Sequence, residues 1–235
     1  MNALGARAIA VSWVVREAAL ATPGWVSALV AAAWILVVAH GFGHGSHAHH
    51  VPLSPPQELA GWLAMVVAMM VPSLSGNLRD VAQRSYRDRR QRAMVMYLLG
   101  YLLVWVLTGL PVIVLRAQPW SHDLALAGIA FVLAAVWAST PLRARFVAAC
   151  HRRIPLASRG RRADASAFTQ GTVTAAPCVA TCGWMMVGCA LTGHRLPPML
   201  LGAVVAWVEA YQFRPDSRPA AGGALLLAAW CVAPI

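Results

Sequence analysis

The sequence predicts an all-α fold: a polytopic transmembrane helix bundle of six or seven spans with its N-terminus in the cytoplasm. Three observations predict it. Hydrophobic residues make up 59% of the 235-residue chain and charged residues only 11%, with a mean hydropathy of +0.61, which is too apolar for a water-soluble domain. Apolar stretches close to the ~20 residues that a spanning helix needs recur along the chain. The Arg residues fall between those stretches, in alternation, as cytoplasmic loops of a membrane protein require.

Taken in order, residues 1–23 read as an N-terminal interfacial helix, because Arg7, Arg16 and Glu17 interrupt the apolar text. No signal-peptide core ending in a small-residue cleavage site is evident, so this segment reads as retained. Residues 24–235 read as a single transmembrane helical domain, with spans at about 24–41, 58–75, 93–115, 123–142, 172–193 and 198–213. The stretch from Ala221 to Ile235 is apolar but shorter than the ~17 residues of the briefest crossing, and it counts as a seventh span only if partial or tilted. All 19 basic residues are Arg, and all except Arg116 and Arg195 fall on one side of this arrangement, which makes that side cytoplasmic. The net charge of +11 is thereby explained by topology, and nucleic acid is excluded as a partner. The five cysteines lie within or beside apolar segments, which argues against a secreted disulfide framework.

The chemistry-bearing residues are sulfur and imidazole. In the fifth span Cys178, Cys182, Met185 and Cys189 fall within a sector of ~60° at ~100° per residue, a row of soft donors on one helix face. Thiolates and thioethers favour Cu(I); packing is the competing role for such residues. In the second span Trp62, Met65, Met69 and Pro72 share a face with Met70 beside them, and Met69 and Cys182 come out at similar depth, so that they could face each other. Pro72 is expected to kink the helix there. Outside, the loop 40–50 carries five His without Lys or Arg; its Gly spacing lets His44, His47, His49 and His50 converge on Cu(II) or another divalent metal. Glu209, near the inner end of the sixth span, shares a stripe with Gly202 and Ala206 and should face protein. It either accepts a cation or proton from the sulfur row or pairs with an Arg of an inner loop.

Several segments together resemble a known family. They are Trp62 to Pro72 (WLAMVVAMMVP), Gly100 to Trp105 (GYLLVW), Thr140-Pro-Leu-Arg143 followed by Cys150 and Arg152, the Cys-rich fifth span and Glu209. In this order they are similar to the predicted metal-binding integral membrane proteins of the domain of unknown function 2182 family, some of whose members are labelled copper chaperones. The resemblance covers about residues 58–213 and implies metal binding by Met65, Met69, Met70, Cys178, Cys182 and Glu209. The chain departs from the family pattern in having Thr181-Cys182 where the family has adjacent cysteines, and Ala210 where Lys follows the acidic residue.

The expected function is therefore that of a multi-pass protein of the bacterial plasma membrane that transports, stores or delivers copper. It would capture metal at the outer His loop and hold Cu(I) on intramembrane Met and Cys. Its expected partners are the lipid bilayer, the metal ion and either a membrane protein or a second copy of itself. The alternative is a non-catalytic accessory or assembly subunit of a larger membrane complex, such as a copper enzyme, with the sulfur residues serving as packing. An enzyme is not expected. A dithiol oxidoreductase needs cysteines reachable at the surface, no His lies deep in a span for a bis-His haem, and no phosphate-binding loop or nucleotide domain supports an ATP-driven pump.

Overall fold

The structure, a computed structural model, describes residues 23–43, 54–118, 124–150, 152–210 and 218–232. The expected interfacial helix over 1–23 and the four His of the loop, His44, His47, His49 and His50, lie outside the described residues. Everything regular among the described residues is helical. In chain order the helices are α1 (Gly24–Gly43), α2 (Pro55–Met70), α3 (Ser75–Arg84), α4 (Arg90–Arg116), α5 (Leu124–Ala138), α6 (Pro141–Cys150), α7 (Gly160–Leu191), α8 (Leu196–Ala210) and α9 (Arg218–Val232), with short 3-10 turns at Pro72–Leu74 and Arg87–Arg89.

Local chemistry sets the boundaries. Two prolines open α2 behind Ser54, whose backbone N–H donates to Gln57 Oε1 at 2.9 Å, so the first orphan donors of the helix are few and met. At its far end Pro72 stops the α-helical ladder, and the chain bends by 46° into α3. A second break, at Ser139-Thr140-Pro141, turns α5 into α6 by 87°. Beyond α7, Gly193 and His194 take positive φ, 71° and 59°, which ends the helix in the left-handed conformation.

These breaks bear on the expected count of spans. Among the described residues two helices are long and apolar enough to cross a membrane, Arg87–Arg116 and Gly160–Leu191, or up to four if each bent pair is one span. The apolar stretches Gly24–Ala39, Leu196–Ala210 and Pro219–Val232 form helices of 10–17 residues. Apolar text continues across Pro and Gly positions at which the helix itself cannot.

At the centre is α7, which packs on α4, α5, α6 and α8, while α2 lies against α1, α4 and α8, and α9 against α5 and α8. The α4–α7 contact is the closest. A Cβ at Gly100 would run into the carbonyl of Phe168, and one at Gly171 into the carbonyl of Tyr97. The two backbones therefore touch where only a hydrogen fits, as small residues allow between packed helices. Higher on α4, Trp62 of α2 seats over Gly109 and donates from Nε1 to Trp105 O at 2.8 Å. Trp207 of α8 likewise donates to Met69 O at 2.9 Å, which ties α8 to the end of α2.

The side of α4 turned away from its neighbours is apolar and bare: Leu99, Leu103, Leu107, Leu110 and Val114 are all exposed. At the Arg-rich end, Asp164 pairs with Arg89 at 2.5 Å and Arg92 at 2.7 Å, Asp80 pairs with Arg84 and Arg153, and Gln170 takes Ile154 N and Arg152 O into hydrogen bonds of 2.7 and 2.8 Å.

The crossing is testable by substitution. Gly171→Ala forces a methyl into the α4 backbone and should destabilise the protein by ~2 kcal/mol, the middle of the range for overpacking. Gly222→Ala, on α9 with nothing within 4 Å of the added methyl, should be neutral or stabilising by up to ~1 kcal/mol. Thermal unfolding of the two purified variants checks the contrast.

Candidate metal site

The four sulfur residues of α7 keep the shared face expected of them, and Cys178, Met185 and Cys189 are buried while Cys182 is half-buried. They do not form one continuous row of equivalent sites. Each half of the stripe meets different helices.

Toward the Arg-rich end, Cys178 and Cys182, one helical turn apart, interact with each other. Tyr101 of α4 lies over Cys178, with Oη 3.1 Å from Sγ. Thr181 donates to Cys178 O at 2.9 Å and has its hydroxyl 3.6 Å from Cys182 Sγ. Cys150 at the end of α6 interacts with Cys182, as do Arg143 and Glu209. A thiol pair, a third thiol and an ion pair are thus gathered in one region.

That ion pair is bidentate. Arg143 of α6 donates from its two terminal nitrogens to Glu209 of α8 at 2.7 and 2.5 Å, and its Nε points to Thr181 O at 3.4 Å. Both side chains are nearly withdrawn from solvent, with relative exposures of 6% and 12%. Parallel fork-to-carboxylate bonding is the strong form of this interaction. Of the two roles expected of Glu209, the ion pair with an Arg is the one seen, and its position facing protein beside buried Gly202 and Ala206 agrees with the stripe.

The other half of the stripe meets α2 and α8. A Cβ placed on Gly202 would find, as its three nearest atoms, Met69 Cε at 2.8 Å, Met185 Sδ at 3.4 Å and Cys189 Sγ at 3.5 Å. Met69 and Cys189 are fully buried and Met185 nearly so. Met69 therefore converges with Met185 and Cys189, and the expected facing of Met69 with Cys182 gives way to a contact about one to two turns further along α7. The reason is the break at Pro72, which ends α2 at this level. Met65 and Met70 are buried in the same helix. Among the described residues no three His, Cys, Asp or Glu side chains form a group able to hold a metal ion; the Gly202 cluster has one thiol and two thioethers, and is of a different kind.

Sequence reasoning missed the opposite end of the bundle. Glu58 of α2 accepts from Arg116 of α4 at 2.8 and 3.2 Å, and Arg116 also donates to Ala190 O of α7. His194, buried, packs its ring on Gly61 one turn above Glu58's level on α2. The signal was present: Arg116 is one of only two Arg placed on the outer side, and Glu58 is the acidic residue at the start of the second apolar stretch.

The described residues form an all-helical bundle with sulfur side chains along a central helix and buried ion pairs at both ends. The PpoB2 copper chaperone family matches residues 59–233, and the chain belongs to that family. The match takes in every sulfur residue discussed above, together with Arg143 and Glu209, and begins after the His-rich loop. No curated protein and no solved structure matches the chain.

The Arg143–Glu209 pair makes a clear prediction. Arg143→Met alone leaves a buried carboxylate uncompensated and should cost ~3–5 kcal/mol, whereas Arg143→Met combined with Glu209→Leu should recover most of that loss. Unfolding midpoints of the single and double variants measure the recovery.

Proposed function

We propose that the protein is a membrane-embedded copper chaperone of the bacterial plasma membrane, a binding and delivery protein and not an enzyme, which carries Cu(I) as cargo on the Cys178–Cys182 pair of α7. The observation that carries this reading is the placement of the thiol pair against the buried Arg143–Glu209 ion pair in a chain of the copper chaperone family.

The charges argue for it. Two thiols that bind Cu(I) release two protons, and the bis-thiolate complex carries one negative charge. A bare anion in an apolar interior is costly. The Arg143 guanidinium beside Cys182 supplies the countercharge, and Glu209 fixes its plane with two hydrogen bonds. Cys150, which interacts with Cys182, offers a third thiol for exchange of the ion between sulfurs. Tyr101, hydrogen-bonded to Cys178, orients that thiol and closes the α4 side of the site.

Membrane embedding is supported by the bare apolar side of α4, of whose apolar window only 33% is buried, and by the length of α4 and α7, each enough for the ~30 Å of hydrocarbon. The Arg clusters of α3, α4 and α6 and of the loop to α7 support a cytoplasmic reading of that end. The loop bearing His44, His47, His49 and His50 then lies outside, where imidazoles take Cu(II) or another divalent ion before it reaches the soft sites.

The test is copper retention by detergent-purified protein loaded with Cu(I) under a reductant. Cys178→Ser with Cys182→Ser should lower the metal held by about one Cu(I) per chain and remove the thiolate-to-copper absorption of the pair. Retention and absorption equal to wild type would sink the reading.

A further inference from the structure

We propose that Met69, Met185 and Cys189 form a second Cu(I) site, a three-sulfur pocket walled by Gly202. The inference rests on the copper reading above and adds to it a station of different chemistry, about 10 Å along α7 from Cys182 at 1.5 Å rise per residue.

The geometry comes first. Sulfur-bearing side chains from two helices end at one point on a third, and that point is a glycine: Met69 Cε, Met185 Sδ and Cys189 Sγ are the three atoms nearest to where its Cβ would stand. Any larger residue there would occupy the space into which the three side chains converge. Met69 is held at this level by the Trp207 hydrogen bond to its carbonyl and by the end of α2 at Pro72. The Cys189 thiol makes only a long contact, 3.6 Å, to Pro198 O. Unbranched thioethers rotate freely enough to close on an ion.

Charge then selects the ion. The titratable group acting on Cys189 is another thiol, Cys231; the ion pair nearest along α7, Arg116 on Ala190 O, is already neutralised by Glu58. When Cu(I) enters and the Cys189 proton leaves to water, no oxidation state changes and the complex of one thiolate, two thioethers and a monovalent ion is neutral. A neutral complex suits an interior whose nearest cation, Arg116, is already balanced by Glu58. A divalent ion bound by the same ligands would leave a net positive charge there, and zinc takes thioethers poorly. The pocket is therefore selective for a soft monovalent ion, Cu(I) or its analogue Ag(I), where the Cys178–Cys182 pair accepts any thiophilic metal.

The experiment uses the full chain in detergent, loaded with Cu(I) under a reductant and freed of weakly held metal. Wild type should retain about two ions per chain, Cys178→Ser/Cys182→Ser about one, and the same variant carrying Met69→Leu and Met185→Leu close to none. If the double Ser variant retains none while wild type holds copper, the second site is wrong and the chaperone reading stands. A wild type that holds no Cu(I) overturns both. Copper retained undiminished after the Met substitutions overturns these ligands. X-ray absorption of copper in the double Ser variant reads the site without further substitution: a shell of sulfur alone is expected, and nitrogen or oxygen neighbours overturn the proposal. Zn(II) retained by that variant with His44, His47, His49 and His50 also replaced by Gln would overturn the charge argument.

Discussion

The contact of α4 with α7 at Gly100 and Gly171 is the constraint on which the rest depends. Two backbones in direct touch fix the rotation of α7 about its own axis, and with it the direction of every residue in phase with Gly171. Cys178, Cys182, Met185 and Cys189 share that phase at ~100° per residue. Near the crossing the stripe meets α4 itself, through Tyr101 and Cys178. Further along, α2 and α8 have entered, and the same stripe meets Met69 and Gly202. One helix face is thereby divided between two sets of neighbours.

Charge is distributed to match. Ionised groups within an apolar bundle persist only with partners, and here they gather at the ends: Glu58 with Arg116 at one, Glu209 with Arg143 at the other. Each pair also joins helices that sequence separates widely, α2 to α4 and α6 to α8. Arg143 reaches across to Thr181 O and Arg116 to Ala190 O, so both clamp α7. Cys182 stands beside the first clamp and Cys189 beside the second, with Met185 between them. The two proposed stations then differ in ligand charge, two thiols at one and one thiol with two thioethers at the other.

Much of this was legible in the sequence. Helicity follows from apolar runs of helical length, the phase of the sulfur stripe follows from spacing alone, and the inward direction of Glu209 follows from Gly202 and Ala206 one and two turns away. The breaks were legible only in part. Pro72 announced a kink, but the 87° turn at Ser139-Thr140-Pro141 lies inside apolar text that hydropathy cannot divide. Partner identity was the real loss. Nothing in the spacing of Met69 tells whether it will meet Cys182 or Cys189, since that depends on how far α2 runs before it stops. Glu58 and Arg116 lie 58 residues apart, and only the antiparallel packing of α2 on α4 brings them together.

A chaperone must hold its cargo against water and thiols outside and yet release it, and two stations of unequal character meet that need better than one strong site. On the proposed reading the Cys178–Cys182 pair, with Arg143 as countercharge, would give the deeper well. Thioethers bind Cu(I) without a charge of their own and so give a shallower one. Exchange between sulfurs proceeds through shared ligation, which favours a sulfur between the two proposed sites, and Met185 lies between Cys182 and Cys189 in the stripe. In the proposed mechanism, a motion of α6 that withdrew the Arg143 guanidinium from Glu209, Thr181 O and the thiols would raise the energy of the anionic complex. The 87° bend that sets α6 across the Arg-rich end of the bundle places this residue on a short helix that also packs on α7.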